Sequence, residues 1–600
     1  MPQPIRNWYF EPEPVPPEAG SGGDDDGIAP GIACLPAASR QRHGARLLSP
    51  SDAPAIPGSR RDGWGGTPKS TVYRARTLLI PADLLRDDAV VQAINAALAP
   101  VGMSIVLPDL DSRQARSGGV VAETLERLPR IAGLVPAAPA PGKPAAPVVV
   151  DAWTALQTLR AVADAAVRTD QAVEVERAVL TRDIVARIGL EHLLAGSAVS
   201  PSALIEANAI SGTPFTEGNA LSGPSSTGSY VYSGGTRTPV TVCLRAPDRR
   251  EPGALGCRRP VVAVLDTGVR AHSWLDVRPD PAGGYILDPA DGFVTDDPGI
   301  QAVIYQEARY AADDQGDHSR QLIADAWDGP AAADPLVGEL NDATGHGTFI
   351  AGIVRQAAPD ARVLAIRIMH SDDVVYEGDL LCALALLADR IGAAEQGSMA
   401  EMVDVVSLSL GYFDESSADV TYGCGLWQVI RLLLDLGVAV VAAAGNYSTR
   451  RRFYPAAFSL RPSPVPVISV GALNPNGSRA LFSDGGGWVR AWAAGAAVVS
   501  TYPDDVNGSL TPQVRVHTHP DGHSPQAGRR DDREALDPDD FRGGFAAWSG
   551  TSFAAPLIAA HIAARLLDQA SVHSVDQPGN QAAADRSLAA LASLGWPGRS

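Results

Sequence analysis

Residues 261–268 read VVAVLDTG. Five apolar residues run without alternation and end on a carboxylate. A short unbroken apolar run of this kind is a strand covered on both faces. The same pattern recurs in RVLAIRIM (362–369), VDVVSLSL (403–410), VAVVAAAGN (438–446) and PVISVGA (466–472). Between the runs lie helical stretches, in HGTFIAGIVRQAA (346–358), LLCALALLADRIGAA (380–394) and LWQVIRLLLDLG (426–437). Strand–helix alternation implies an α/β domain with a mostly parallel sheet flanked by helices. Sites in such sheets lie beyond the carboxyl ends of the strands. The polar residues that close the runs are therefore the first candidates for function.

Asp266 closes the first run. His346 stands between glycines at the start of an apolar helix, where it is held rigidly, and histidine is the side chain best suited to general-base work at physiological pH. Ser552, in WSGTSFAAPLIAA (548–560), opens another apolar helix, so free backbone N–H groups converge on its hydroxyl. Asn446 ends VAVVAAAGN and presents a side-chain amide at the rim, able to donate to an oxyanion. Taken alone, each has a plainer account: a turn aspartate, a loop histidine, a capping serine, a turn asparagine. Four such residues at strand or helix edges, where one site could gather them, do not.

LDTG, GHGTFIAG, AAAGN and GTSFAAP, in the order Asp, His, Asn, Ser, resemble the motifs of the subtilisin (subtilase) family of serine proteases. The resemblance covers about residues 258–570. It implies a serine endopeptidase in which Ser552 is the nucleophile, His346 its base and Asp266 the partner of the histidine. Asn446 and the Ser552 N–H would bind the oxyanion. It further implies that Ser409-Leu410-Gly411 pairs with extended substrate and that Ala443-Ala444-Gly445 forms the opposite wall of the primary specificity pocket, with room for a large side chain. Gly378 would supply the second flanking strand. The alternative from another class is a catalytically silent or latent protein of the same fold with a regulatory or binding role.

The rest of the 600-residue chain sets the context. With 68 acidic against 49 basic residues, the net charge of −19 argues against nucleic acid or anionic membrane as partner. A polypeptide substrate is expected, with the chain's own N-terminal region as a second partner in the cleft. No apolar run reaches about 18 residues and MPQPIRNWYFEPEPVPPEAG lacks a secretory h-region, so a cytoplasmic location is expected. Five cysteines without CxxC spacing make no disulfide framework.

Four segments are expected: a Pro/Gly/Asp-rich disordered tail over 1–68, an α+β accessory or prodomain-like region over 69–194, a linker with a strand pair over 195–257, and the peptidase domain over 258–600. In the second, TVYRARTLLIP (71–81) and SIVLPD (104–109) read as strands. Val90, Ile94, Ala97 and Leu98 mark one helix face. LVPAAPAPGKPAAP (134–147) reads as a linker, PVVV (147–150) as a strand, and Asp151 as the cap of a helix carrying Trp153, Leu156, Leu159 and Val162. Any self-cleavage is expected between Ala195 and Arg259.

Two insertions, about 280–340 and 503–545, depart from compact family members and are expected to border the cleft. Asp313, Asp314 and Asp317 suggest calcium, and His517, His519 and His523 a metal, although solvated loops explain both; no cofactor is assigned. Arg450, Arg451 and Arg452 suggest a seat for an acidic substrate side chain.

Overall fold

The computed structural model describes residues 7–11, 35–49, 68–113, 116–138, 147–168, 179–198, 237–288, 290–332, 334, 336–396, 398–415, 425–516 and 533–597. The N-terminal unit is an antiparallel sheet under two helices. Its elements are β1 (Thr71–Pro81), α1 (Asp88–Leu98), β2 (Met103–Val106), β3 (Pro129–Pro136), α2 (Ala152–Arg168) and β4 (Gly189–Gly196). Asp87 caps α1 by accepting from the Ala89 and Val90 N–H groups, and Asp151 accepts from Thr154 N–H at 3.0 Å. Side chains alternate across a strand, so β1 serves two cores. Leu78 and Ile80 join Ile94, Leu98, Leu156 and Leu159 under the helices, whereas Val72 and Leu79 join the core of the larger unit.

The larger unit is built on β5 (Val261–Asp266), β6 (Arg362–Arg367), β8 (Val405–Leu408), β10 (Ala439–Ala443), β11 (Val467–Leu473) and β12 (Ala491–Ala494); the short β7 (Val374–Tyr376) and β9 (Leu410–Gly411) intervene in the chain. The sheet runs Trp8–Phe10, β12, β11, β10, β8, β5, β6, Val294–Asp296. All its pairs are parallel except Trp8–Phe10 against β12. The helices α3 (Pro298–Asp313), α4 (His346–Ala357), α5 (Glu377–Gln396), α6 (Gly425–Asp435) and α7 (Thr551–Asp568) accompany it. This is the doubly covered parallel sheet expected from the apolar runs. No helix among the described residues is long and apolar enough to cross a membrane.

Several sequence expectations fail in the first half of the chain. LVP (134–136) is the end of β3, and PVVV (147–150) forms no strand. Val162 on α2 is 39% exposed, so it lies outside that helix's packed face. Thr238–Pro239 pairs with Phe545–Trp548, and the rest of the expected strand pair lies outside the described residues. The boundary at 194/195 cuts through β4 and does not fall in a linker. The last two share a cause: these segments find their pairing partners far along the chain, where local composition carries no signal. The 280–340 insertion packs its helix α3 beside α5 and its 315–320 turn against the N-terminal sheet, where Gln315 Nε2 donates to Ile131 O at 3.0 Å.

Candidate active site

Asp266 ends β5, and His346 opens α4 one strand end away. His346 Nδ1 and Asp266 Oδ1 are 2.7 Å apart, with both residues buried. Thr267 N–H also donates to Asp266 Oδ1 at 2.8 Å, and Thr267 Oγ1 accepts from Gly347 N–H at 3.0 Å, tying strand end to helix start. The rings of Trp548 and Phe553 flank the imidazole, each with its centroid 5.5 Å away. Neighbouring Asp328 has its pKa raised to about 6 by burial, against the opposing pull of Arg270.

Ser552 lies in the first turn of α7, fully buried. Its hydroxyl donates to Ser409 O at 3.3 Å, and His346 Nε2 makes no hydrogen bond. The hydroxyl is thus turned from the imidazole. Asn446 is oriented without ambiguity. Its Oδ1 accepts from Thr551 N–H and from Thr551 Oγ1, each at 3.0 Å, so its Nδ2 faces the other way. Thr551, which the sequence reading passed over, is the group that aims this amide.

Asn446 Nδ2 and the Ser552 N–H converge on one acceptor, the carbonyl oxygen of Ser197, at 2.5 and 2.9 Å. Ser197 follows directly on β4. The last residues of β4 leave the N-terminal sheet and run between two strands of the larger unit. Gly196 and Ala195 pair antiparallel with Leu410 and Gly411, and Ala195, Leu194 and Leu193 with Val374, Val375 and Tyr376. Ser197 N–H donates to Ser409 O at 3.0 Å.

Ser409-Leu410-Gly411 therefore pairs with an extended segment of the chain's own N-terminal unit. Gly378 does not: it lies in the first turn of α5, facing Glu191 and Ile131, and β7 just before it is the second flanking strand. The strand must end where Glu377 begins the helix, so the glycine is two residues too late. Ser409–Gly411 and Ala443–Gly445 both border the Phe453 ring: a Cβ built on Gly411 would come 2.4 Å from it, and one on Gly445, which first meets Asp484 Oδ2 at 2.3 Å, would come 3.2 Å from it.

The proposed calcium carboxylates do not fit a metal. The Asp317 carboxylate is held by Arg74 and Ser319, whereas Asp313 and Asp314 are exposed. Among the described residues no group of three or more His, Cys, Asp or Glu side chains is placed to hold a metal ion. His517, His519 and His523 lie outside the described residues. Arg451 donates to Ser70 O at 2.7 Å and Asp414 O at 2.8 Å and lies over the Phe413 ring, so it is committed to the unit interface and not to substrate.

The model of the subtilase family of peptidases matches residues 258–588, and the chain belongs to that family. Members of the family are serine proteases. Subtilisin DY of Bacillus licheniformis is 31% identical over 192 residues, 30% of this chain and 61% of that protein. Thermitase of Thermoactinomyces vulgaris is 32% identical over 187 residues, 28% of this chain and 58% of its own. The chain thus spans about three-fifths of the length of the curated relatives it matches. A solved cold adapted subtilisin-like serine proteinase aligns over 54% of this chain and 79% of its own, at 16% identity and a TM-score of 0.29.

Removing the Asn446 amide tests the convergent donors. Asn446→Ala is expected to lower kcat by about 10²–10³-fold with little change in KM, a scale set by subtilisin itself. Steady-state kinetics on a peptide substrate measure it.

Proposed function

We propose that this chain is a serine endopeptidase of restricted substrate range, held latent by its own N-terminal unit acting as a prodomain. Ser552 Oγ attacks the carbonyl carbon, and His346 Nε2 takes the proton and returns it to the leaving amine. Asp266 fixes the imidazole tautomer and stabilises the imidazolium, while Asn446 Nδ2 and the Ser552 N–H hold the oxyanion. The observation that carries this reading is the Ser197 carbonyl, which accepts from both of those donors at the end of a strand paired on both edges. A substrate carbonyl would occupy that position, so the bond presented for cleavage is Ser197–Ala198. While β4 fills the cleft, other substrates are excluded.

Labelling with a fluorophosphonate probe tests the chemistry. Once cut after Ser197 and freed of its N-terminal unit, the wild type is expected to label at Ser552 and to hydrolyse peptides, and a folded Ser552→Ala variant to do neither. Failure of the wild type to label would favour the silent regulatory alternative.

The docking of β4 is expected to depend on pH through His192. Its Nδ1 lies 2.6 Å from Glu377 Oε2 and its Nε2 2.8 Å from Glu415 Oε2, and its ring stacks on Tyr412; Arg160 is the nearby cation acting on Glu415. Burial disfavours charge on the ring, but the two glutamates outweigh it and raise its pKa well above 6.5. The folded state thus binds the extra proton more tightly than the unfolded one. Stability from this contact is complete below about pH 6.5, the ordinary histidine value, and is lost as pH rises through the raised value. Thermal melts of the uncut Ser552→Ala chain should fall across that window, and His192→Gln should flatten the fall.

A further inference from the structure

Two side chains close the cleft around the segment it holds. Counting from the Ser197–Ala198 bond, Ser197 is the first residue on the amino side and Gly196 the second. A Cβ on Gly196 would stand 2.1 Å from Asp373 Oδ1 and 3.1 Å from Met369 Cε, far inside contact distance. Asp373 cannot easily withdraw. It sits at φ 72° in a turn, with its N–H on His370 O at 3.0 Å and its own carbonyl accepting from Gly196 N–H at 3.2 Å. Its Oδ1 is buried and makes no hydrogen bond, so it is the pinned backbone of the turn and the packing around it that set this oxygen against the second residue.

The first residue meets a different obstacle. Ser409–Gly411 and Ala443–Gly445 form two walls, and hypothetical Cβ atoms on Gly411 and Gly445 both run into the Phe453 ring. Phe453 is fully buried and packed by Phe413 and Tyr447 at centroid distances of 5.1 and 5.9 Å, so it is not a movable flap. Ser197 itself is small and 1% exposed.

We infer that Asp373 and Phe453 are specificity-determining residues, Asp373 restricting the second residue before the cut to glycine and Phe453 restricting the first to serine, alanine or glycine. The inference rests on the endopeptidase reading above. It names the substrate class: extended polypeptide segments with a glycine followed by a small residue, the sequence carried by the chain's own Gly196-Ser197. Burial, followed by the charges of Asp342, Asp266 and Asp372, pushes the Asp373 carboxyl well above the usual carboxylate range.

The test is cleavage profiling of a diverse peptide library by the purified protein after self-cleavage, with Ser552→Ala as control and with Phe453→Ala and Asp373→Gly beside the wild type. Wild-type cuts should follow Gly-Ser, Gly-Ala and Gly-Gly. Phe453→Ala should raise kcat/KM for leucine or phenylalanine at the first position at least about tenfold. Asp373→Gly, which suits the positive φ, should admit alanine and larger residues at the second. Wild-type cleavage after aromatic, long apolar or basic residues, or with any side chain tolerated at the second position, overturns the specificity and leaves the endopeptidase reading intact. Absence of both self-cleavage and peptide cleavage overturns both.

Discussion

Replacing Ser552 with alanine is expected to leave the 600-residue chain intact, whereas the wild type yields a fragment whose first residue is Ala198. The Ser197 carbonyl already lies on Asn446 Nδ2 and the Ser552 N–H, so what separates the present arrangement from attack is a turn of the serine hydroxyl away from Ser409 O. Intact-mass and N-terminal analysis of both proteins reads the result. Peptidase activity of the variant should fall by about 10⁶-fold, a scale taken from the same replacement in subtilisin and not from this structure. A wild-type chain that is active on peptides yet keeps residues 197 and 198 joined would remove the prodomain reading while leaving the chemistry in place. A new terminus elsewhere would mean that β4 is an inhibitory strand but not the presented bond.

The second large effect concerns how the two units recognise each other. Arg320, from the 280–340 insertion, donates to Glu191 Oε1 and Oε2 on β4 at 3.0 and 3.2 Å and also to Asp379 of α5. Thr77 of β1 donates to the same glutamate at 2.7 Å, and Arg74 of β1 reaches Asp317 of the insertion. The guanidiniums of Arg74 and Arg320 lie 4.7 and 4.5 Å from the Tyr376 ring centroid. All of these side chains are buried.

Charges taken out of water hold together only as a satisfied set, and removing one member leaves its partners unpaired. Arg320→Met is therefore expected to destabilise the uncut Ser552→Ala chain by about 3–5 kcal/mol. Urea unfolding followed by circular dichroism measures it. The loss should concentrate at the interface, because Glu191 and Asp379 come from different units. If the midpoint is unchanged, the cluster is relaxed by water and does not specify docking. In this arrangement the insertion acts as a seat for the N-terminal sheet, and one that an unrelated prodomain would lack the charges to fill.

The catalytic half could be read from the chain because its signals are local. Parallel strands covered on both faces need apolar residues throughout, so VVAVLD and VAVVAAA announce themselves. The residues at their ends, Asp266 and Asn446, inherit positions from the strands. GTSFAAP and GHGTFIAG set a serine and a histidine at helix starts by sequence alone. The sequence by itself therefore determined the fold of residues 258–588, its family, and the candidate residues Asp266, His346, Asn446 and Ser552.

Tertiary structure decided what surrounds them. GLEHLLAG (189–196) carries a glutamate and a histidine that look misplaced in a buried strand, and the partners that satisfy them, Arg320, Glu377 and Glu415, lie more than 120 residues away. Gly378 misled because a flanking strand has no motif; only its pairing with β4 shows that it spans Val374–Tyr376. Phe453 and Asp373 gave no sign either, since a side chain narrows a cleft only when remote walls bring it there. The bond-breaking groups follow from short-range patterns. Access to them, and which peptide fits, follow from contacts between segments that the chain order keeps apart.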